Sequence, residues 1–120
     1  MPGSPHVLTF KQSMRQMSVQ QLHSMMAGEP DLRPRLLDVR EPWEYALARI
    51  EGSQLLPMQT VPDQIDQIDK THPTVVICHH GMRSLQVVAF LERQGFENLH
   101  NLQGGIDAWA RQVDTRVAVY

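Results

Sequence analysis

The chain has 120 residues, 42% apolar and 20% charged, with a formal net charge of −2. A domain of this size buries roughly two-thirds of the surface its unfolded form exposes, enough for one core without cross-links. The charge balance carries no basic excess, so neither nucleic acid nor an anionic membrane surface is expected as a partner. No apolar run approaches the ~20 residues of a membrane span. Met1 to Phe10 lack the basic start and long apolar stretch of a signal peptide, and a cytoplasmic location is expected.

Residues 1–16 show no clear period and read as a partly irregular extension before a domain at 17–113; residues 114–120 form a tail without structural signal. Ser18-Val19-Gln20-Gln21 predicts a helix start, because the serine hydroxyl and a glutamine three residues on satisfy free backbone donors reciprocally. Val19, Leu22, Met25 and Met26 follow at helical spacing, the methionines as core filling, and Gly28 suits the stop. Arg35 to Val39 is a short apolar run fit for a buried strand. Glu41-Pro42 opens a helix reaching Leu47, and Gln54 to Pro57 is a second strand. Thr60 is read as the cap of a helix with Val61, Ile65 and Ile68 on its apolar face and Asp63, Asp66 and Asp69 on its solvated one.

Thr74 to Ile77 is the strongest strand, β-branched throughout and apolar on both faces as a central parallel strand requires. After a polar loop, Leu85, Val88, Ala89 and Leu91 give the apolar face of a helix that Ser84 caps and Gly95 ends. A strand at Asn98 to Leu102, the break at Gly104-Gly105, and a helix from Ile106 to Val113 with Trp109 facing inward complete the series. Strands and helices alternate at short intervals, the pattern of an α/β domain whose parallel sheet is covered by helices on both faces.

In such sheets ligands bind beyond the carboxyl ends of the strands, and Cys78 sits at the carboxyl end of the strongest one. It is the single cysteine, so an intramolecular disulfide and a CxxC motif are both excluded. A lone cysteine is either a small buried hydrophobe or a nucleophile, and its neighbours favour the second reading. The segment is Ile77-Cys78-His79-His80-Gly81-Met82-Arg83-Ser84. If it curls so that its N–H groups point inward, with Gly81 supplying the unusual dihedral, it makes an anion-binding nest at a helix N-terminus. Helix N-termini and nearby cations such as Arg83 favour a thiolate. A persulfide is one reversible state open to that thiolate. Cys78 is thus the candidate nucleophile, with His79, His80, Gly81, Met82 and Arg83 as the surrounding substrate-binding residues.

These residues belong to a wider resemblance. Leu37-Asp38-Val39-Arg40-Glu41 followed by Glu44-Tyr45, the loop from Cys78 to Ser84, and Gly104-Gly105-Ile106 with Trp109 resemble, in order and spacing, three motifs of the rhodanese family. The resemblance covers about Met17 to Val113. It implies a three-layer α/β/α domain with a five-stranded parallel sheet in the order 1-5-4-2-3. It also implies transfer of sulfane sulfur from a donor such as thiosulfate to a thiol or cyanide acceptor through a persulfide on Cys78. Where many members have Gly-His-Ile-x-Gly-Ala, this chain has Ala48-Arg49-Ile50-Glu51-Gly52-Ser53, which alters a turn. The second loop position, often basic in efficient thiosulfate users, is His79, mostly neutral near pH 7; thiosulfate is therefore expected to be a poor donor.

Other readings are weighed on the same residues. Phosphatases and arsenate reductases of this fold place five residues between cysteine and arginine, whereas four separate Cys78 from Arg83 and the fifth-spaced position is Ser84. A metal held by Cys78, His79 and His80 is disfavoured because adjacent residues converge poorly on one ion. Neither a metal nor a cofactor is expected. His6, His23, His72 and His100 read as surface or core residues, Trp43 and Trp109 as packing. Arg40 and Glu44 are read as i,i+4 partners, with Asp38 bracing the neighbouring loop. A monomer is the expected state; the alternative functions are a protein-to-protein persulfide carrier, with a sulfur-relay protein as partner in place of small-molecule donors and acceptors, or a non-catalytic rhodanese-like binding module.

Overall fold

Alternation along the central strand decides the layering. In the computed structural model, which describes residues 16–120, strand β4 (Thr74–Ile77) is buried along its whole length. Val75 and Ile77 point to one face of the sheet, Val76 and the following Cys78 to the other. Such two-sided burial is what a β-branched parallel strand needs. On one face Val75 and Ile77 join Leu22, Ile106 and Trp109; on the other Val76 and Cys78 join Leu37, Val61, Val88 and Leu91.

Five parallel strands, β1 (Gln16–Met17), β2 (Arg35–Asp38), β3 (Gln54–Leu55), β4 and β5 (Leu99–Leu102), lie in the order β1-β5-β4-β2-β3. The register pairs Asp38 with Ile77 and Val76 with Asn101, so the ends of β2, β4 and β5 open on the same edge. Helices α1 (Val19–Met26) and α4 (Gly105–Gln112) cover one face, and α3 (Met82–Arg93) covers the other together with a 3-10 segment at Met58–Gln67. Helix α2 (Pro42–Leu47) lies beyond the end of β2. This is the three-layer α/β/α architecture, and the strand order is the one implied by the resemblance.

Local signals account for the element starts. Ser18 Oγ accepts from the Gln21 amide at 3.0 Å while Gln21 Oε1 accepts from the Ser18 amide at 2.8 Å, the reciprocal cap expected for α1. Within that helix Val19 and Leu22 are buried and Met26 packs against the core, but Met25 is exposed and fills nothing. The segment read as a Thr60-capped helix is instead 3-10. Pro62 has no N–H to offer an α-helical ladder, and the Thr60 hydroxyl donates to the Pro57 carbonyl at 2.7 Å. Its apolar face survives: Val61 and Ile68 are buried, Ile65 partly so, and Asp63, Asp66 and Asp69 are exposed.

Helix α3 differs from the sequence reading by a rotation. Its buried residues are Ser84, Val87, Val88 and Leu91, whereas Leu85 is 38% exposed. That set has the i, i+3, i+4, i+7 spacing of one helix face. Gly81, not Ser84, is the N-cap, and the start it fixes turns Ser84 inward toward Cys78.

Candidate active site

Cys78 is 1% exposed, immediately beyond β4 and at the floor of the loop that runs into α3. The Gly81 amide donates to its Sγ at 3.1 Å, and Ser84 Oγ lies 3.3 Å from the same sulfur. Gly81 reaches this position at a φ of 100°, a left-handed conformation open to glycine. The Ser84 hydroxyl is also hydrogen-bonded to Asn101 Oδ1. With a single proton, that hydroxyl can donate to only one of the two at a time, the sulfur or Asn101 Oδ1. Asn101, buried on β5, spends both its N–H groups on the Gly81 carbonyl (3.1 Å) and on Gln16 Oε1 (2.9 Å). One side chain thereby ties the first strand, the last strand and the loop together.

The loop is held from a second side by α4. The Ile106 amide donates to the Cys78 carbonyl at 2.9 Å and the Asp107 amide to the His79 carbonyl at 3.1 Å. The approach is so close that a Cβ on Gly105 would sit 2.3 Å from the His79 oxygen and 2.4 Å from the Cys78 oxygen. The Gly104-Gly105 pair is thus the part of the chain on which the loop rests.

Charge around the loop is paired. Arg83 makes two bonds to Glu44, Nη1 to Oε1 at 2.8 Å and Nη2 to Oε2 at 2.9 Å. Those bonds hold the Glu44 carboxyl at about 2, against the desolvation that would raise it. The same carboxylate raises Arg83 further above its ordinary range. The expectation that Arg40 partners the Glu44 carboxylate does not hold. Arg40 reaches only the Glu44 backbone carbonyl at 3.3 Å, and its ion pair is with Asp38, Nη2 to Oδ2 at 2.7 Å, both side chains fully buried. Glu44 is turned away from it because its carboxylate also caps α2, accepting from the Glu41 amide at 2.9 Å. Asp38 does brace the following loop, accepting from the Arg40 amide at 3.1 Å.

The remaining loop residues face outward. Met82 is 71% exposed and His80 is exposed, so neither reaches the sulfur's donors. His79 is half-buried and stacked between the rings of His80 and Tyr120, each with its centroid 3.9 Å away, the His80 ring tilted by 27° and the Tyr120 ring by 5°. Burial first, then the neighbouring His80, pushes His79 below its ordinary range and keeps it neutral. The metal reading meets a different cluster from the one weighed in the sequence: His79, His80 and Asp107 bring ligand atoms within 4.8 Å of one another, and Cys78 is not among them. Both Asp107 carboxylate oxygens are 3.1 Å from Arg111 Nε. Of the dispersed histidines, His23 is exposed at the edge of Trp109 and His72 contacts the Arg33 carbonyl. His100 is part-buried and held neutral by burial; His6 lies outside the described residues. Trp109 is core, while Trp43 is 62% exposed.

Two residues join the site that the sequence did not mark. Asn101 leaves a trace, a polar side chain between Leu99 and Leu102 in a buried strand. Tyr120 leaves none, since nothing in the composition of the tail places it at the loop.

The chain matches the family model of the rhodanese-like domain over residues 18–112. It belongs to the rhodanese-like domain family. It is 33% identical over 119 residues to rhodanese-like/PpiC domain-containing protein 12 of Arabidopsis thaliana, covering 95% of this chain and 40% of that protein. The chain therefore spans less than half the length of that relative. It is 40% identical over 74 residues to the thiosulfate sulfurtransferase GlpE of Pseudomonas fluorescens, covering 62% of this chain and 68% of the relative. A rhodanese-like domain protein from Staphylococcus aureus superposes with a TM-score of 0.74 at 28% identity, covering 88% of this chain and 98% of the other. The Cys78 loop and the Gly104-Gly105 segment both lie within the matched residues.

Proposed function

We propose that this domain is a sulfurtransferase that carries sulfane sulfur on Cys78, taking it from thiosulfate or another persulfide donor and yielding it to a thiol or cyanide. The carrying observation is the sulfur's setting: buried, in reach of the Gly81 amide and the Ser84 hydroxyl, with Arg83 close by. Such donors stabilise a sulfur anion without a general base. The Cys78 thiolate attacks the outer sulfur of thiosulfate; a new S–S bond forms, the old S–S bond breaks, and sulfite leaves with its electron pair. The acceptor then attacks the terminal sulfur, and the Cys78 thiolate returns as leaving group. No net oxidation occurs across the cycle.

Two features bear on the donor. Four residues, not five, separate Cys78 from Arg83, and Ser84 is turned in toward the sulfur where a longer loop would carry its arginine, which supports a sulfur atom over phosphate as the cargo. With His79 neutral and Arg83 matched by Glu44, attraction for a dianion is weak, which supports thiosulfate as a poor donor. A generic aryl phosphate is expected to give no turnover. Sulfur relay between proteins is the second reading, favoured by the apolar side chains left exposed at the loop and on α2, Met82, Trp43 and Leu47. No helix of the described residues is long and apolar enough to cross a membrane, and a reducing, cytoplasmic setting suits a single thiol.

The test is the intact mass of the reduced protein after incubation with thiosulfate, beside Cys78→Ser. A gain of one sulfur atom, reversed by cyanide and absent in the variant, is expected. No gain with a Cys78 that still reacts with a thiol probe would end the thiosulfate reading, and a mixed disulfide with a sulfur-donating protein would then favour relay.

A further inference from the structure

The segment after α4 turns back along the molecule. The Asp114 amide donates to the Trp109 carbonyl and the Val117 amide to the Asp114 carbonyl, and Val117 packs against the core on the α1–α4 face. This course brings Tyr120 to the mouth of the loop. Its ring lies flat on His79, 3.9 Å between centroids with 5° between planes, and meets Trp43 edge-on at 5.9 Å. Its carbonyl oxygen is 2.9 Å from His79 Nε2. A carbonyl only accepts, so that nitrogen carries the proton and Nδ1 is bare.

The hydroxyl is the more informative group. Arg40 Nη1 lies 2.8 Å from it and Glu44 Oε2 lies 2.9 Å from it. A guanidinium only donates and an ionised carboxylate only accepts. The tyrosine proton must therefore point at Glu44, and the oxygen must accept from Arg40. Burial pushes the hydroxyl up to about 12, so it stays protonated in this role at any ordinary pH. It joins the buried Asp38–Arg40 pair to the Glu44–Arg83 pair in one row of alternating charge that ends beside Cys78.

We propose that Tyr120 is a positioning residue of the Cys78 site: by donating to Glu44 it offsets part of that carboxylate's charge and leaves more of Arg83's positive potential for the sulfur anion. Its ring and carbonyl hold His79 flat against the loop as the Nε2–H tautomer. The proposal rests on the reading of Cys78 as the reacting atom, and it assigns to residues 114–120 a part in the site that neither the loop motif nor the Gly-Gly segment contains.

The experiment is the rate at which iodoacetamide alkylates Cys78 near pH 7 in native protein, Tyr120→Phe and Tyr120→Ala, with melting curves for each. Tyr120→Phe keeps the ring and removes only the hydroxyl; it is expected to melt as the native protein does yet react about three-fold more slowly, the loss of one oriented dipole beside a partly buried ion pair. Tyr120→Ala, which removes the hydroxyl and the ring stacked on His79, is expected to react at least as slowly. A Tyr120→Phe protein that reacts as fast as native or faster overturns the hydroxyl's role, because a mere cover over the sulfur would give that result. Alkylation needs no sulfur donor, so a protein that gains no mass from thiosulfate still reports on this proposal.

Discussion

Replacing Glu44 by Gln tests the charge pairing at the loop quantitatively. Glutamine keeps the shape and one carbonyl oxygen but stands in for the protonated acid. The carboxyl is held at about 2 in the folded protein against an ordinary 4.5, a difference that converts to about 3 kcal/mol of folding stability. Arg83 is 35% exposed, and screening of that end reduces the figure to about 2 kcal/mol. For a domain of this size that loss lowers Tm by about 8 °C near neutral pH. The folded value is the depressed one, so the contribution is complete above about pH 5 and fades as the acid protonates, with more than half gone by about pH 3. Urea unfolding of native and Glu44→Gln protein between about pH 7 and 3 should therefore show a stability gap that narrows steadily on acidification. A gap that stays constant over that range, or a variant as stable as native at neutral pH, would refute the assignment of the low value to the Arg83 pair.

Gly105→Ala should displace the loop, since its Cβ would meet two loop carbonyls at 2.3 and 2.4 Å and its φ of 64° disfavours a side chain; a loss of about 2–4 kcal/mol in urea unfolding, with slower Cys78 alkylation, is expected. Arg40→Met strands the Asp38 carboxylate, fully buried, and should cost about 3–5 kcal/mol by the same measurement, far more than Arg116→Met, whose side chain is 90% exposed. Ser84→Ala removes one of the two donors at the Cys78 sulfur and leaves Asn101 Oδ1 short of its partner. About 1–3 kcal/mol of stability and several-fold in alkylation rate should go together, and an unchanged rate would place Ser84 outside the thiolate's support. Leu22→Ala, on a core residue with no exposure and no site role, should cost about 2–5 kcal/mol while leaving the alkylation rate as it is.

What was legible in the sequence and what was not divide along a physical line. The unbroken β-branched run at Thr74 to Ile77, the cap at Ser18 and Gln21 and the glycine-bearing loop after Cys78 are local signals, and each stands in the structure at its expected place. The apolar face of α3 is read from the sequence with Leu85 in it and without Val87. Packing of Gly81 beneath the end of β5 chose Val87 and buried Ser84. The segment at Met58–Gln67 shows the same competition in reverse: the apolar spacing suggested an α-helix, and the missing N–H of Pro62 decided against one.

The site divides similarly. Cysteine, glycine and arginine lie within six residues, so chain geometry alone brings them to one loop at the end of β4. The partners that set the charge and the hydrogen bonds come from far along the chain: Glu44 to Arg83, Asn101 to Gly81, Gly105 under Cys78, Tyr120 to Arg40 and Glu44. Sequence spacing made Arg40 the natural partner of Glu44, but a helical i,i+4 relation fixes only proximity. Which carboxylate a guanidinium takes depends on which others the fold brings within reach, and here Asp38 and Arg83 were nearer in space. By itself the sequence determined the strands, the loop and the position of Cys78 at the end of β4, because these follow from local backbone preference and apolar period. Only the tertiary structure decided how the charges pair and which residue closes the mouth of the loop, because those depend on distances between segments up to 80 residues apart.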